Sequence, residues 1–334
     1  MSQRREFLRI LSESPTTRAD MEKQITAFAP ASVSNVACGF DIMGFALERP
    51  GDTVTVRFSK TPGVNIRTVT GSGASIPLDP SRNTAGAPVI AMLKRCRTAV
   101  GVEMDIHKGL PPGSGIGSSA ASAVAAAVAC NALLEAGLSQ KELLECAIEG
   151  ERIASQALHV DNLAPCLWGG FILVRGYNPI DIVQIPVPDS LWCTVVLPDL
   201  EIQTSESRKL LPKAIPVSDV ISQTGNAAGL IAGLMAGDFA LIGRSLHDVI
   251  AEPVRRNSIP GFTAMKEEAL AAGALGCSIS GSGPALFALS ASEESATRVG
   301  KAMGQVLDRL GSKHSVILSV ICRTGARIIP SKNP

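Results

Sequence analysis

The chain has 334 residues, of which 46% are hydrophobic and 18% charged, with a formal net charge of +1. That length can bury one large core or two ordinary ones, and the near-neutral balance excludes a broad electrostatic footprint for nucleic acid or an anionic membrane. Eight cysteines stand singly, without CxxC pairs or zinc-ligand spacing, and read as reduced, buried thiols of a cytoplasmic protein.

In chain order, "MSQRREFLRILSESPTTRAD" mixes Arg and Ser with acidic residues and lacks an apolar stretch of signal-peptide length. Residues 1–21 are therefore expected to form a disordered or loosely attached extension. From Thr26 onward short β-like runs alternate with helical ones. "TVTVRF" (53–58) and "VNIRTV" (64–69) alternate polar and apolar side chains, as half-exposed antiparallel strands do. "APVIAMLKRCRTAV" has helical spacing. "VEMDIHKGL" returns to period two, with Val102, Met104 and Ile106 on one face.

"PPGSGIGSSAASA" (111–123) comes next, opening a long Ala/Leu helix that ends near Gly137. A second helix begins at Ser139, whose spacing to Glu142 forms a capping box. "GGFILVRG" (169–176) reads as a strand closing this half, and the Pro-rich "NPIDIVQIPVP" as a domain boundary at 178/179. The second half offers a strand "WCTVVLP", helical stretches over about 206–250, and a helix at 262–272. Two short strands hinged on Gly281–Pro284, a helix at 292–310 and a last strand "SVILSVI" follow. The longest apolar stretch, "AASAVAAAVACNALL", is shorter than the roughly 20 residues a membrane span needs.

The 111–123 segment follows a strand and starts a helix, where unpaired N–H groups and the helix dipole favour an anion. It is not a Walker A loop, because no Lys-Ser/Thr follows the glycines. Nor is it a dinucleotide fingerprint, since Ser118 stands where the third glycine should be. Small residues from Gly113 to Ala121 leave bare backbone for a polyphosphate, and Ser118, Ser119 and Ser122 could add hydroxyl donors or a metal ligand. A serine-capped helix packed closely in a core is the competing reading.

The segment resembles the ATP-binding signature of the GHMP kinases. Three further stretches resemble the homoserine kinase branch of that superfamily: "APASVSNVACGFDIMGFAL", "HVDNLAPCLWGGF" and "SISGSGPALFAL". The likeness runs from about Thr26 to Ile329. It implies an α+β fold of two domains: a ribosomal-protein-S5-like N-terminal domain (22–178) with a left-handed crossover, and a ferredoxin-like C-terminal domain (179–330). ATP and substrate would lie between them.

The resemblance also implies roles. Pro111, Pro112, Gly113, Ser114, Gly115, Ile116, Gly117, Ser118, Ser119, Ala120 and Ala121 would surround ATP, with Asn83 on the nucleotide side. Ser119 and Glu151 would bind Mg2+, which takes oxygen ligands and keeps several waters. A zwitterionic amino alcohol, L-homoserine, needs arginines for its carboxylate and acceptors for its ammonium. Arg208 and Arg255 match the first task, and Asn35 and Asp41 the second. His159 and Asn162 would lie near the hydroxyl and γ-phosphate, with Thr204 as a further contact. His159, Asn162 and Arg255 would serve catalysis, and Asp161 would be either a base or a loop anchor. Arg256, His107, His247 and His314 are assigned no site role.

Phosphorylation of L-homoserine to O-phospho-L-homoserine by a homodimer follows from this likeness. Another GHMP-type kinase acting on a mevalonate- or shikimate-like alcohol, or an inactive nucleotide-binding regulator, are the alternatives. One departure stands out: where the family reads like SANLGPGFD, this chain has "SVSNVACGFD", with Ala37 for glycine and Cys38 for proline. Alanine avoids backbone angles that glycine permits, so the turn before Asp41 is expected to differ.

Overall fold

The computed structural model describes residues 22–72, 75–155 and 158–330. The expected extension over 1–21 lies outside them. The first layer is a seven-stranded sheet containing β1 (Gln24–Ser34), β2 (Met43–Ser59), β3 (Gly63–Gly71), β4 (Gly101–Lys108), β5 (Phe171–Tyr177), β6 (Ile180–Ile185) and β11 (Arg327–Ile329). Its order is β11-β1-β2-β4-β3, with β5 paired to β2 and β6 to β5. The 53–58 and 64–69 runs are both strands as expected, but β3 runs parallel to β4 rather than antiparallel. A parallel neighbour requires a crossover, and α1 (Gly86–Cys96) provides it.

Against this sheet lie α1, α2 (Ser118–Leu134) and α4 (Val160–Trp168), and α3 (Gln140–Ser155) packs on these three helices. Thirteen of the seventeen residues of α2 are buried, mostly alanines. A helix apolar all round belongs in an interior, and short side chains let its backbone sit close to β1 and β2. The Ser139/Glu142 capping box forms: Glu142 accepts from the Ser139 N–H at 2.9 Å, and Ser139 Oγ accepts from the Glu142 N–H at 3.4 Å.

The second sheet holds β7 (Trp192–Pro198), β8 (Gly276–Ile279), β9 (Leu286–Ser290) and β10 (His314–Val320). Its antiparallel order, β10-β7-β9-β8, is that of a ferredoxin-like unit. Helices α5 (Thr204–Lys209), α6 (Val217–Ala236), α7 (Phe239–Ser245) and α8 (Glu252–Arg255) separate β7 from α9 (Phe262–Ala271), and α10 (Glu293–Arg309) follows β9. The chain changes sheets later than the sequence suggested. Asn178–Pro179 is the turn of the β5–β6 hairpin, and β6 stays in the first sheet. After β10 the chain returns, and β11 adds an edge strand beside β1 that the sequence reading had left out.

Strand alternation explains how one core joins both units. In β7, Val195 belongs to the main cluster and Val196 to a second cluster with Phe262, Met265 and Met303. Phe45 stacks on Phe171 at 5.8 Å and meets Phe287 of the second sheet edge-on at 6.1 Å. Among the described residues, no helix is long and apolar enough to cross a membrane.

Candidate active site

Between the two units opens a cavity of about 640 Å3. Its floor begins with a buried charge pair that the sequence reading missed. Lys108, 4% exposed, ends β4 and reaches Asp52 Oδ2, the Ser118 carbonyl at 2.8 Å and Ser122 Oγ at 2.8 Å. Asp52 also accepts from the Leu110 N–H at 3.1 Å and from Ser122 Oγ at 2.6 Å. Every oxygen of the buried carboxylate therefore has a partner, the condition under which such a pair is tolerated. A signal was present: Lys108 continues the Val102–Met104–Ile106 face, where a charge demands a buried partner.

Above this pair, Gly113, Gly115 and Gly117 take φ of +65°, +82° and +70°. A Cβ on Gly117 would meet Ser32 Oγ at 2.1 Å. Four successive carbonyls of the loop are occupied. Gly113 O accepts from Ile202 N–H, Ser114 O from Ala285 N–H, Gly115 O from Ser280 Oγ and Ile116 O from Ser32 N–H. The N-terminus of α2, at Gly117, has no side-chain cap. Lone pairs are thus tied to neighbours while amide N–H groups are left for a ligand, an electropositive arrangement suited to phosphate.

The serines divide. Ser118 Oγ donates to the Leu110 carbonyl at 2.9 Å and Ser122 Oγ to Asp52, so these hydroxyls hold the loop instead of presenting donors as expected. Ser119 Oγ instead donates to Glu151 Oε1 at 2.5 Å. Glu151, 2% exposed near the end of α3, takes the His159 Nδ1 at 3.1 Å on its other oxygen. Burial opposes charge on His159, but the Glu151 hydrogen bond and the carboxylates of Glu151 and Asp161 outweigh it and raise its pKa. Among the described residues no three His, Cys, Asp or Glu side chains gather as a metal cage. A hydroxyl beside a carboxylate is nonetheless a hard oxygen pair that fits a largely hydrated Mg2+.

Asn83 is a turn residue in its contacts: Nδ2 donates to Pro77 O at 2.7 Å, and Oδ1 accepts from Ala85 N–H at 2.9 Å. It lines the cavity with Ile76, Pro77, Ile153 and Ala154. Pro112, Gly113, Ser114, Gly115, Gly117, Ser118 and Ser119 line it too. Pro111, Ile116, Ala120 and Ala121 do not, and the last three are buried behind it.

On the other side, the turn after β1 carries φ of +67°, +38°, +56° and +59° at Asn35, Val36, Ala37 and Asp41. Ala37 thus holds a left-handed conformation that glycine would adopt at no steric cost. Asn35 stabilises the turn: its Oδ1 accepts from the Asp41 N–H at 2.9 Å and its Nδ2 donates to Gly281 O at 2.7 Å. Both ends of that amide are committed, which leaves Asp41 as the member of the Asn35–Asp41 pair with a side chain turned to the cavity, which Glu151, Asp161 and Glu201 also line. Arg208 Nη2 lies 2.9 Å from both Asp41 oxygens. Arg255, 4% exposed, donates to Gly281 O at 3.1 Å. Burial lowers its pKa, against the attraction of Asp41. Tyr177 donates to the Asp41 carbonyl.

Asn162 is clamped to β1, donating to Ser34 Oγ at 2.8 Å and accepting from Ser32 Oγ at 2.9 Å. Asp161 accepts from Asn35 N–H at 3.3 Å, and its buried Oδ1 has no partner among the described residues. Burial pushes its carboxyl up to about 7. Thr204 Oγ1 lies 3.3 Å from Ser282 Oγ, at the start of α5. Arg256, His107 and His247 are exposed and none of the three lines the cavity, nor does His314. The cavity therefore joins a cradle lined by backbone N–H groups to a pocket bearing Arg208, Arg255, Asp41 and Asp161.

Residues 83–170 match the GHMP kinases N terminal domain, and residues 230–309 the GHMP kinases C terminal domain. Homoserine kinase of Chlorobium phaeobacteroides is 47% identical over 320 residues, covering 92% of this chain and 100% of the relative. That of Xylella fastidiosa is 40% identical over 306 residues, covering 92% of this chain and 94% of the relative. A crystal structure of homoserine kinase from Cytophaga hutchinsonii, 47% identical, superposes with a TM-score of 0.90 over 92% of this chain and 98% of that one. An L. major mevalonate kinase, 18% identical with a TM-score of 0.66 over 87% of this chain and 94% of that one, shares the fold.

Proposed function

The chain belongs to the homoserine kinase family of the GHMP kinases, and from that premise we propose that it transfers the γ-phosphoryl group of ATP to the side-chain hydroxyl of L-homoserine, yielding O-phospho-L-homoserine and ADP. The observation that carries the reading is the joined cavity. A loop with four occupied carbonyls and an uncapped helix N-terminus opens onto the same space as Asp41, Arg208 and Arg255.

Amide N–H groups at the start of α2 bind the phosphates and oppose the charge that develops on them. Ser119 and Glu151 would hold Mg2+, which supplies charge neutralisation when bound. Arg208 and Arg255 take the substrate carboxylate, and Asp41 its ammonium, with Asn35 holding Asp41 in place. Thr204 adds a contact from α5. Asn162, fixed by Ser32 and Ser34, orients the substrate hydroxyl, while His159, held by its contact with Glu151, faces the transferred group.

The hydroxyl oxygen bonds to γ-phosphorus as the bond to the bridging oxygen breaks. Its proton leaves late, to the transferred phosphoryl oxygens, so positioning and electrostatics supply the rate. Eight free cysteines support a reducing, cytoplasmic setting, and a homodimer is part of the proposal.

A coupled ADP-release assay tests the substrate. Homoserine is expected to turn over, and mevalonate, galactose and shikimate to fail. Turnover of another alcohol without homoserine would overturn the substrate and leave the kinase standing. Sedimentation equilibrium tests the dimer, which a mass of 34.7 kDa for the species in solution would remove.

A further inference from the structure

Two cations that must act together on one carboxylate also repel each other, and something must hold them side by side before substrate arrives. In this chain both lie over a single aromatic ring. The Arg255 guanidinium carbon is 5.1 Å from the centroid of Phe40, and that of Arg208 is 5.9 Å away. Their other supports leave gaps: the Nε of each arginine is buried without a hydrogen-bond partner among the described residues. Arg208 is otherwise tied to Asp41, and Arg255 to the Gly281 carbonyl.

Phe40 is placed by the strained turn. It follows the 3-10 turn Ala37–Gly39 with φ −48° and precedes Asp41 with φ +59°. The turn thus delivers two successive side chains to the same place, a carboxylate that pairs with Arg208 and a ring whose negative face attracts both guanidiniums. A partly buried aliphatic side chain of similar size would fill the volume but offer no quadrupole.

We propose that Phe40 is a positioning residue for homoserine recognition, holding Arg208 and Arg255 as one pre-organised carboxylate-binding pair through cation–π contact. This rests on the homoserine kinase reading, because it assigns the arginines to the substrate carboxylate. Pre-organisation acts on substrate affinity, so the effect should appear in the KM for homoserine and not in that for ATP.

The test compares wild type, Phe40→Leu and Phe40→Tyr in the ADP-release assay, each shown to be folded by circular dichroism and Tm. For Phe40→Leu the KM for homoserine is expected to rise roughly tenfold, with the KM for ATP within about twofold of wild type. Phe40→Tyr is expected to restore the homoserine KM, because it keeps the ring. A second substrate, 3-aminopropan-1-ol, lacks the carboxylate. The gap between wild type and Phe40→Leu should shrink to about twofold with it. An unchanged homoserine KM in Phe40→Leu, an equal rise in both KM values, or an equal gap with the amino alcohol each overturns the proposal. Absence of homoserine turnover in wild type would instead overturn the substrate reading itself.

Discussion

The two halves of the cavity are built on opposite principles. The side proposed for phosphate is mostly backbone: seven consecutive residues, 113–119, the first four of whose carbonyls are tied off and whose glycines are fixed by contacts with both domains. The side proposed for the amino-acid substrate is mostly side chain, gathered from the turn after β1, the start of α4, and α5 and α8. A triphosphate presents many equivalent oxygens, which a row of amides meets without long side chains. An amino acid presents one anion and one cation at a fixed distance, so discrete charges from different elements are required.

Glu151 sits where the halves meet, bonded to Ser119 on one side and His159 on the other. Glu151→Gln should therefore give the largest loss, a roughly thousandfold fall in kcat, or about 4 kcal/mol of barrier. An unchanged Tm would locate that loss in chemistry rather than folding. Lys108→Met comes next. It strands Asp52 in a site with no exposure, and a stability loss of at least about 3 kcal/mol is expected by urea titration. Retained stability would show that the cradle does not depend on its buried pair.

The contrast between the halves is sharpest in paired variants. Gly115→Ala places a Cβ 2.7 Å from the Ser280 and Gly283 carbonyls at φ +82°. It should cost about 2 kcal/mol and raise the KM for ATP more than that for homoserine. Arg208→Lys loses the planar fork and should raise the KM for homoserine about tenfold, with ATP little affected. Equal shifts in both KM values would mean the halves are coupled and not separate.

The smallest expected effect is in pH. Asp161 is pushed from 3.8 to about 7 by burial, so between those values the folded chain keeps a proton that the unfolded chain has released. Stability therefore falls as pH climbs from about 4 to about 7, and His159, raised above its ordinary value, continues the fall at higher pH. Tm measured across this range should decline in wild type and decline less in Asp161→Asn. Parallel curves would assign the dependence elsewhere.

Much of this was readable in the residues. The strand over 53–58, the strand of the 102–110 segment as far as Lys108, the α3 capping box and the hinged pair around Gly281 all formed, because period-two alternation and cap chemistry act over a few residues. The direction of β3, the β5–β6 hairpin across the expected boundary and the return of β11 were not readable. They depend on which strand edge each segment meets, which no local pattern encodes. Within the site, residue type alone does not tell Ser118, Ser119 and Ser122 apart, and only the family resemblance singles out Ser119. Their helical phase separated them, turning two hydroxyls toward Leu110 and Asp52 and one toward Glu151.

By itself the sequence determined a loop of small residues opening a helix and a set of unpaired cysteines, since glycine runs, caps and spacing are local properties, while the residues for a zwitterionic substrate came from the resemblance to a family. Tertiary structure alone decided that Phe40 lies under both arginines, that Lys108 finds Asp52, and that Asn35 spends its amide on the turn. Apart from the six-residue reach of Asn35 to Asp41, those contacts, including that of Asn35 with Gly281, span tens to hundreds of residues, and they exist only once the strands have chosen their neighbours.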